Sequence, residues 1–246
     1  MLRKDRWREG GTADGAEVTK FNALAEEWRR PAGRFAVAQA FHKGRMAWML
    51  EVLSERFGPR FTDVTALDVG CATGLASEDL ARAGAKVHGV DAAARNISIA
   101  KACAEKLPEK VRERVRYEHV LPENITEKYD VVLALEVVEH VADSKAFFKA
   151  CAARRASGGV LVMATINRTW LSFIMAIVGA EYILRWLPRG THAWGKFIKP
   201  EEIETWARAE GLVAVARCGM KLDVWRRQWV PCRSEAVNYM LVLGEV

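Results

Sequence analysis

Gly70, Gly74 and Asp91 have the residue types and the spacing that could hold a nucleotide-like ligand. In TALDVGCATG, residues 65–74, an apolar run ends at Gly70, and a helix-compatible run follows Gly74. This pattern predicts a strand, a tight glycine turn and a helix whose first N–H groups are free and partly positive. Asp91 ends the next apolar run, 21 residues after Gly70. An acid there is placed to accept hydrogen bonds from both hydroxyls of a ribose.

Asp68 indicates which kind of nucleotide-like ligand this would be. The glycines do not fit the dinucleotide pattern G-x-G-x-x-G, because Ala72 and Leu75 occupy its second and third glycine positions. Asp68 precedes Gly70 by two residues, where a carboxylate would sit badly beside a pyrophosphate. It suits a ligand with a positive charge or a free amine, and S-adenosylmethionine has both. The pattern resembles the first two motifs of the Rossmann-like methyltransferases, and the alternative is a bare β-α-β crossover with a glycine turn.

A second group of chemically capable residues follows the predicted fourth strand. In EVVEH, the residues Glu136, Glu139 and His140 are spaced i, i+3 and i+4. If the chain turns helical there, the three side chains face one way and form a facial site for a divalent ion. The alternative is that the acids complement a helix dipole and the histidine completes a hydrogen-bond network. Without a metal, His140 or His192 would be the general base.

The stretch of residues 167–187 is unusually apolar and aromatic. Its apolar run, Trp170 to Ala180, is too short to span a bilayer, and arginines flank it at both ends. We interpret it as a helix that lies in a membrane interface, the alternative being a buried core helix. The apolar face is expected to carry Trp170, Phe173, Ile174 and Ile177.

Strand-like and helix-like patterns alternate along the rest of the chain, which is typical of an α/β fold with a parallel sheet. We predict a Rossmann-like sheet of seven strands, the last antiparallel, with N-terminal cap helices and an insertion after the fifth strand. The last two strands, Leu212–Cys218 and Asn238–Val246, are expected to form an antiparallel hairpin at the sheet edge. The domain boundaries predicted are a flexible tail at 1–16, one methyltransferase domain at 17–246, and the insertion at about 168–199.

Composition fits one globular domain in a reducing compartment. The chain has 246 residues, of which 50 % are hydrophobic and 28 % charged. Its five cysteines are scattered and odd in number, so we expect free thiols. The net charge of +6 favours nucleic acid or anionic lipid only weakly. No groove that combines aromatic and basic residues is evident, and we predict no nucleic-acid partner.

Short strings along nearly the whole chain resemble the ubiquinone-biosynthesis O-methyltransferase family. They run from about Lys20 to Met240 and read KF-x-x-LA, LDVGC-x-x-G, E-x-x-EHV, INR, VGAEYILR, GTH, KFIKP and VNYM. The series VGAEYILR, GTH and KFIKP is the most specific part, because generic methyltransferases lack it. Three departures stand out: Ala72 replaces a glycine, ASGG stands in place of KPGG before the fifth strand, and residues 221–231 do not match the family's tyrosine-asparagine-proline run.

The resemblance implies a set of site residues. It implies that Arg45, Gly70, Asp91 and Leu135 contact the cofactor, S-adenosylmethionine. It also implies that Glu136, Glu139 and His140 bind a divalent metal, magnesium or else zinc. Together with the spacing argument, the cofactor site predicted is Arg45, Asp68, Gly70, Gly74, Asp91 and Leu135, and the catalytic residues predicted are His140 and His192.

The activity implied is O-methylation of polyprenylated catechol or quinol intermediates in ubiquinone biosynthesis. The resemblance also implies peripheral association with a membrane and with other ubiquinone-biosynthesis proteins in a complex. The expected location is the matrix side of the mitochondrial inner membrane or, alternatively, a bacterial cytoplasm and inner-membrane face. Two other classes stay open: a methyltransferase for another hydrophobic small molecule, and a cofactor-binding scaffold of a membrane complex.

Overall fold

A computed structural model describes residues 11–29, 36–183, 190–191 and 193–245. Its centre is an eight-stranded sheet with the order β3-β2-β1-β4-β5-β8-β6-β7. The strands are β1 (Thr65–Val69), β2 (Lys86–Val90), β3 (Val115–Glu118), β4 (Tyr129–Leu135), β5 (Arg155–Ile166), β6 (Leu212–Asp223), β7 (Gln228–Cys232) and β8 (Asn238–Glu245).

Eight α-helical segments are found in the described residues. They are α1 (Gly15–Leu24), α2 (Ala36–Phe57), α3 (Leu75–Ala83), α4 (Ala94–Ala104), α5 (Glu109–Arg112), α6 (Ser144–Ala152), α7 (Trp170–Ser172) and α8 (Pro200–Ala209). A π-helix, Phe173–Ile183, continues α7, and short 3₁₀ turns lie at Pro122–Asn124, Val138–His140 and Trp194–Lys196. No helix in these ranges is both long and apolar enough to cross a membrane.

The parallel strands form because their sequences are apolar on both faces, as buried parallel strands require. Strands β1 to β5 pair in parallel, and alternate residues of β4 enter two different core layers. Val131 and Leu133 pack in one layer with residues of α2 and α3, whereas Val132 and Ala134 pack in the other with residues of α6 and α8. This arrangement confirms the predicted Rossmann-like α/β fold and brings the carboxyl ends of β1, β2 and β4 to one edge.

The sheet has eight strands, so the prediction of seven was wrong in one respect. Strand β6 runs on to Asp223 and forms a hairpin with β7, which lies within the residues that do not match the family pattern. Strand β8 lies between β5 and β6, antiparallel to both, so β7 and not the β6–β8 pair forms this edge. The sequence of β7, QWVPC, lacks the alternation that marks a strand. Packing against α2 holds it instead, and at Gly44 a Cβ would lie 2.3 Å from the Trp229 carbonyl oxygen.

The N-terminal segment is docked from Thr12 onward. The Thr12 amide donates to Glu123 (2.8 Å), and Ala13 forms a β-bridge with Val141. Asp14 caps α1 by accepting from the amide of Ala16. Helix α1 therefore begins at Gly15, and the rest of the tail proposed at 1–16 lies mostly outside the described residues.

Candidate functional site

One large cavity of about 1170 Å³ opens at the carboxyl ends of the parallel strands. Gly70, Asp91 and Glu136, which follow β1, β2 and β4, line one end of it. This is the edge where an open α/β sheet binds its ligands. The remaining walls come from α1, α2, the π-helix and the β6–β7 hairpin.

Gly70 makes the turn after β1 and leaves no room for a side chain. Its φ is +69°, and a Cβ there would lie 2.4 Å from a methyl carbon of Val137. The amides of Gly70 and Cys71 both donate to the carbonyl of Val90, at 2.8 and 3.0 Å, which ties the turn to the end of β2. The positive φ and the contact with Val137 therefore both require glycine at this position, and close approach of the turn to a ligand stays a prediction.

Asp91 is buried and already holds the turn in shape. Its carboxylate accepts from the amides of Ala72 (2.9 Å) and Ala93 (2.7 Å) and from the side chain of Asn96 (3.3 Å). Burial raises the pKa of Asp91, and these hydrogen bonds oppose the rise. A carboxylate has about four acceptor sites, so capacity remains for a ligand hydroxyl. Asp91 lines the cavity and shapes the loop at the same time.

Ala72 occupies a backbone conformation that favours glycine. Its φ is +48°, in the left-handed region, and the hydrogen bond from its amide to Asp91 holds it there. The departure from the family's glycine therefore leaves the turn formed, at the cost of local strain.

Asp68 lies at the end of β1, 2 % exposed, and lines the cavity. The Ser77 hydroxyl donates to its carboxylate at 2.6 Å. Burial raises the pKa of Asp68 to about 6, while the Ser77 hydrogen bond and the Arg45 charge oppose that rise. A carboxylate whose pKa stays raised despite the Arg45 charge would be stabilised by a further positive charge, such as the predicted cationic end of a ligand.

Arg45 and Leu135 also line the cavity. The Arg45 side chain is only 11 % exposed, and its Nη1 donates to Glu136 at 3.1 Å. Its guanidinium carbon also lies 5.4 Å from the centroid of the Phe41 ring. Leu135 is buried at the last position of β4.

Gly74 has a different place from the other predicted cofactor residues. It precedes α3 with φ +88°, and a Cβ there would lie 2.4 Å from the hydroxyl oxygen of Tyr117. Its requirement for glycine therefore comes from the turn and from packing against β3.

The structure does not place the three predicted metal ligands on one helical face. Glu136 has a left-handed backbone, φ +56°, and only a short 3₁₀ turn, Val138–His140, follows it. Glu136 and His140 line the large cavity, whereas Glu139 lines only a second cavity of about 30 Å³, which His140 also borders. No group of three His, Cys, Asp or Glu side chains that could hold a metal occurs among the residues described. The spacing argument assumed a regular helix, and this backbone does not provide one.

Glu139 is nevertheless unusual. It is 2 % exposed, and neither carboxylate oxygen has a hydrogen-bond partner within the described part of the chain. Burial, and next the neighbouring charge of Glu136, raise its pKa well above the ordinary value. Two carboxylates therefore lie near each other beside the cavity, and the charge of Arg45 acts on both of them.

Of the two predicted catalytic histidines, His140 lines the cavity and His192 lies outside the described residues. The Nδ1 of His140 lies 3.0 Å from Glu17, and the hydrogen bond from His140 lowers the pKa of Glu17 to about 2. Sequence reasoning missed His42, which is buried in the cavity wall with its Nε2 2.9 Å from Asp79. Its position three residues before Arg45 on a helix was an available signal.

The other end of the cavity is apolar. Phe41 and Trp229 meet edge to face, with ring centroids 5.1 Å apart, and both line it. Ile174, Met175 and Val224 line it as well and are more than half exposed. This end therefore suits a hydrophobic acceptor and opens to the surface between the π-helix and the β6–β7 hairpin.

Comparison with known proteins places the chain among methyltransferases. A family model described as a methyltransferase domain matches residues 41–217. The chain is 40 % identical over 237 residues to a ubiquinone biosynthesis O-methyltransferase of Chelativorans sp. (strain BNC1), covering 94 % of this chain and 93 % of that protein. It is 41 % identical over 246 residues to the protein of the same name from Azorhizobium caulinodans, covering 96 % of each chain.

Solved structures show the same fold at low sequence identity. Magnesium protoporphyrin IX methyltransferase from Synechocystis PCC 6803, with bound SAH, superimposes with a TM-score of 0.67 at 19 % identity, covering 93 % of this chain and 95 % of that chain. The N-methyltransferase NodS from Bradyrhizobium japonicum, also with SAH, has a TM-score of 0.59 at 16 % identity, covering 94 % and 97 %.

Proposed function

The chain belongs to the ubiquinone biosynthesis O-methyltransferase family, and on that premise we propose which acceptor it takes and which residues act on it. It is an S-adenosylmethionine-dependent O-methyltransferase of ubiquinone biosynthesis. The acceptor proposed is a polyprenylated catechol or quinol. The observation that carries this proposal is the single cavity that joins the cofactor turn to an apolar end open at the surface.

The cofactor supplies the methyl group, and the chain's residues hold and orient the reactants. The Gly70 turn and Asp91 would bind the nucleoside part, and the buried carboxylate of Asp68 would face its cationic part. The apolar wall of Phe41 and Trp229 would hold the acceptor ring. Alignment of this kind contributes up to roughly 7–11 kcal/mol to lowering a barrier, so positioning is the main task of these side chains.

The acceptor oxygen must lose a proton, because the pKa of a phenol is about 10. Without a bound metal, we propose His140 as the group that takes it; as a metal ligand through its remaining ring nitrogen it could not also accept the proton. Glu17 orients the His140 ring through Nδ1 and, being ionised, stabilises the imidazolium that forms. His192 stays a prediction, since it lies outside the described residues.

We keep a divalent ion at Glu136, Glu139 and His140 as a proposal. Its support is the pair of neighbouring carboxylates, of which Glu139 is buried without a hydrogen-bond partner in the described residues. A bound ion, magnesium or zinc, would act as a Lewis acid on the acceptor oxygen. The fit is partial, because His140 is hydrogen-bonded to Glu17 and Glu139 faces the smaller cavity.

We also propose that the π-helix and its neighbours lie in a membrane interface. Exposed apolar side chains support this, with Trp170 at 71 %, Ile174 at 57 % and Ile183 at 70 %. Phe173 and Ile177, expected on the same face, are partly buried. The proposed location remains the matrix side of the mitochondrial inner membrane or a bacterial inner-membrane face, beside other ubiquinone-biosynthesis proteins.

Turnover of a short-chain catechol analogue, with and without chelator, tests the acceptor and the metal together. We expect methylation of the catechol and none of a matched aromatic amine. If chelation abolishes turnover and added magnesium restores it, the ion is part of the site. Full activity after exhaustive chelation rejects the ion and leaves the role of base to His140 or His192. Methylation of the amine, or cofactor binding with no turnover of either compound, would favour the two other classes.

A further inference from the structure

The turn of the β6–β7 hairpin exposes an aromatic side chain almost completely. We call Leu222–Arg227 the hairpin tip. Within it Trp225 is 94 % exposed and Val224 is 68 % exposed. Single exposed apolar residues are common, but these adjoin the cavity mouth and form part of a larger apolar surface.

The hairpin tip is an ordered turn. The carboxylate of Asp223 accepts from the amides of Trp225 and Arg226, both at 3.0 Å. Arg227 closes the turn in the left-handed region, with φ +53°. Asp223, the only acid of the tip, is therefore engaged in hydrogen bonds within the turn, and the Trp225 side chain is left at the surface.

The base of the same hairpin is fixed to the body of the protein. Trp229 packs edge to face on Phe41, and the β7 backbone approaches α2 so closely that Gly44 has no room for a side chain. The position of the tip relative to the cavity is therefore set by packing, and the tip stands at a fixed place beside the mouth.

Two exposed apolar elements flank that mouth. On the hairpin tip, Leu222 and Val224 line the cavity and are exposed. On the π-helix, Ile174, Met175 and Ile183 also line the cavity and are exposed. A ligand that leaves the cavity here passes between two apolar surfaces. A ligand with a long apolar chain would therefore enter the cavity from apolar surroundings that contact both the hairpin tip and the π-helix.

The charge around the tip indicates which apolar phase that is. Arg226 is 78 % exposed and lies 3.9 Å from the carboxylate of Asp223, which is partly covered. Arg227 and Lys221 are exposed too, so the tip carries a net positive charge. Tryptophan beside arginine is typical of chains that lie at a lipid headgroup layer, and basic side chains favour anionic lipids. A second copy of this chain fits less well, because a symmetric contact of the tip with itself would bring the arginines together.

We propose that the hairpin tip is a second lipid-binding element, which inserts Trp225 into an anionic membrane surface and, with the π-helix, seats the cavity mouth on the bilayer. This proposal rests on the membrane association proposed above and adds a separate site of contact. It predicts that lipid-soluble acceptors reach the cavity directly from the membrane.

The test compares the full chain with Trp225→Ser and with Arg226→Gln/Arg227→Gln in co-sedimentation with lipid vesicles. The matched controls are Val215→Ser, an apolar residue of β6 that is 49 % exposed, and Arg208→Gln, which is exposed on α8. We expect Trp225→Ser to weaken binding to phosphatidylglycerol-containing vesicles about tenfold, as loss of one inserted apolar side chain implies. The arginine variant should weaken it on those vesicles and change nothing on phosphatidylcholine vesicles, while the controls bind like wild type.

Turnover separates this proposal from the proposed function. All tip variants should methylate a short-chain catechol at the wild-type rate and lose rate only with a long-chain acceptor presented in vesicles. Wild-type vesicle binding by both tip variants overturns the proposal, even if the catechol is methylated. A change in oligomeric state on sedimentation, with vesicle binding intact, also overturns it and makes the tip a contact between copies. Failure of wild type to methylate any catechol would instead reject the proposed acceptor.

Discussion

Replacement of Asp68 by asparagine should make the cofactor-free protein more stable and the cofactor-bound complex weaker. Asp68 is 2 % exposed and its pKa in the folded protein is raised to about 6, mainly by burial. Between pH 3.8 and about 6, the folded state therefore holds a proton on Asp68 that the unfolded chain has already released. Asparagine has no charge to bury, and its side-chain oxygen still accepts from Ser77.

The magnitude follows from the two pKa values of Asp68. The rise from 3.8 to about 6, at about 1.4 kcal/mol for each pH unit, corresponds to about 3 kcal/mol. Because the folded pKa is the higher one, this cost is absent below pH 3.8, grows as pH rises to about 6 and stays constant above it. The negative charge of Asp91 contributes to this rise, after burial.

Urea unfolding of the cofactor-free protein at several pH values is the assay. We expect the free energy of unfolding of Asp68→Asn to exceed that of wild type by up to about 3 kcal/mol at pH 7.5, with the difference shrinking toward pH 4. Asp63→Asn, an exposed acid in the loop before β1, is the control and should change little. Calorimetry should show weaker S-adenosylmethionine binding by Asp68→Asn. A variant no more stable than wild type at pH 7.5, or a gain that does not depend on pH, refutes this reasoning.

Three further substitutions test the cofactor turn. Ala72→Gly should stabilise the protein by about 0.5–1 kcal/mol in urea unfolding, because its left-handed backbone suits glycine, and cofactor affinity should not fall. Gly70→Ala should abolish cofactor binding by calorimetry, since its Cβ would meet Val137, whereas Gly58→Ala, also at positive φ but in open space, should bind normally. Asp91→Ala should weaken cofactor binding by about 1.5–3 kcal/mol and also lower stability, because the loop loses its acceptor; unchanged affinity in a folded variant would remove Asp91 from the site.

The sheet and the cofactor edge could be predicted because strong local patterns specify them. Buried apolar runs such as residues 131–135 predict parallel strands, and Gly70 and Asp91 follow two of those strands directly. Strand β7 could not be predicted, because its sequence is neither apolar nor alternating and its conformation depends on contact with α2. The backbone of residues 136–140 could not be predicted for a similar reason, and the metal site proposed there stays a prediction. The spacing of Glu136, Glu139 and His140 has meaning only on a helix, and tertiary contacts impose another backbone there.

The role of Asp91 shows a second limit of sequence reasoning. Its position predicts contact with a ribose, but the amides of Ala72 and Ala93 that it accepts from lie in segments brought together only by the fold. The same carboxylate therefore supports the turn and offers its remaining acceptor capacity to the ligand. A spacing rule identifies such a residue but does not say how much of its role is structural and how much is ligand binding. Measuring both the stability and the cofactor affinity of an Asp91 variant separates the two roles.

Backbone strain connects the cofactor site with the proposed lipid contact. Within the described ranges, the non-glycine residues with positive φ are Ala72, Glu136 and Arg227. Such residues persist only where surrounding contacts determine the conformation, and they concentrate at functional sites. Ala72 and Glu136 flank the cofactor end of the cavity, each at the end of a strand. Arg227 closes the turn of the hairpin tip, two residues after Trp225, so the third such position belongs to the turn that we propose to contact lipid.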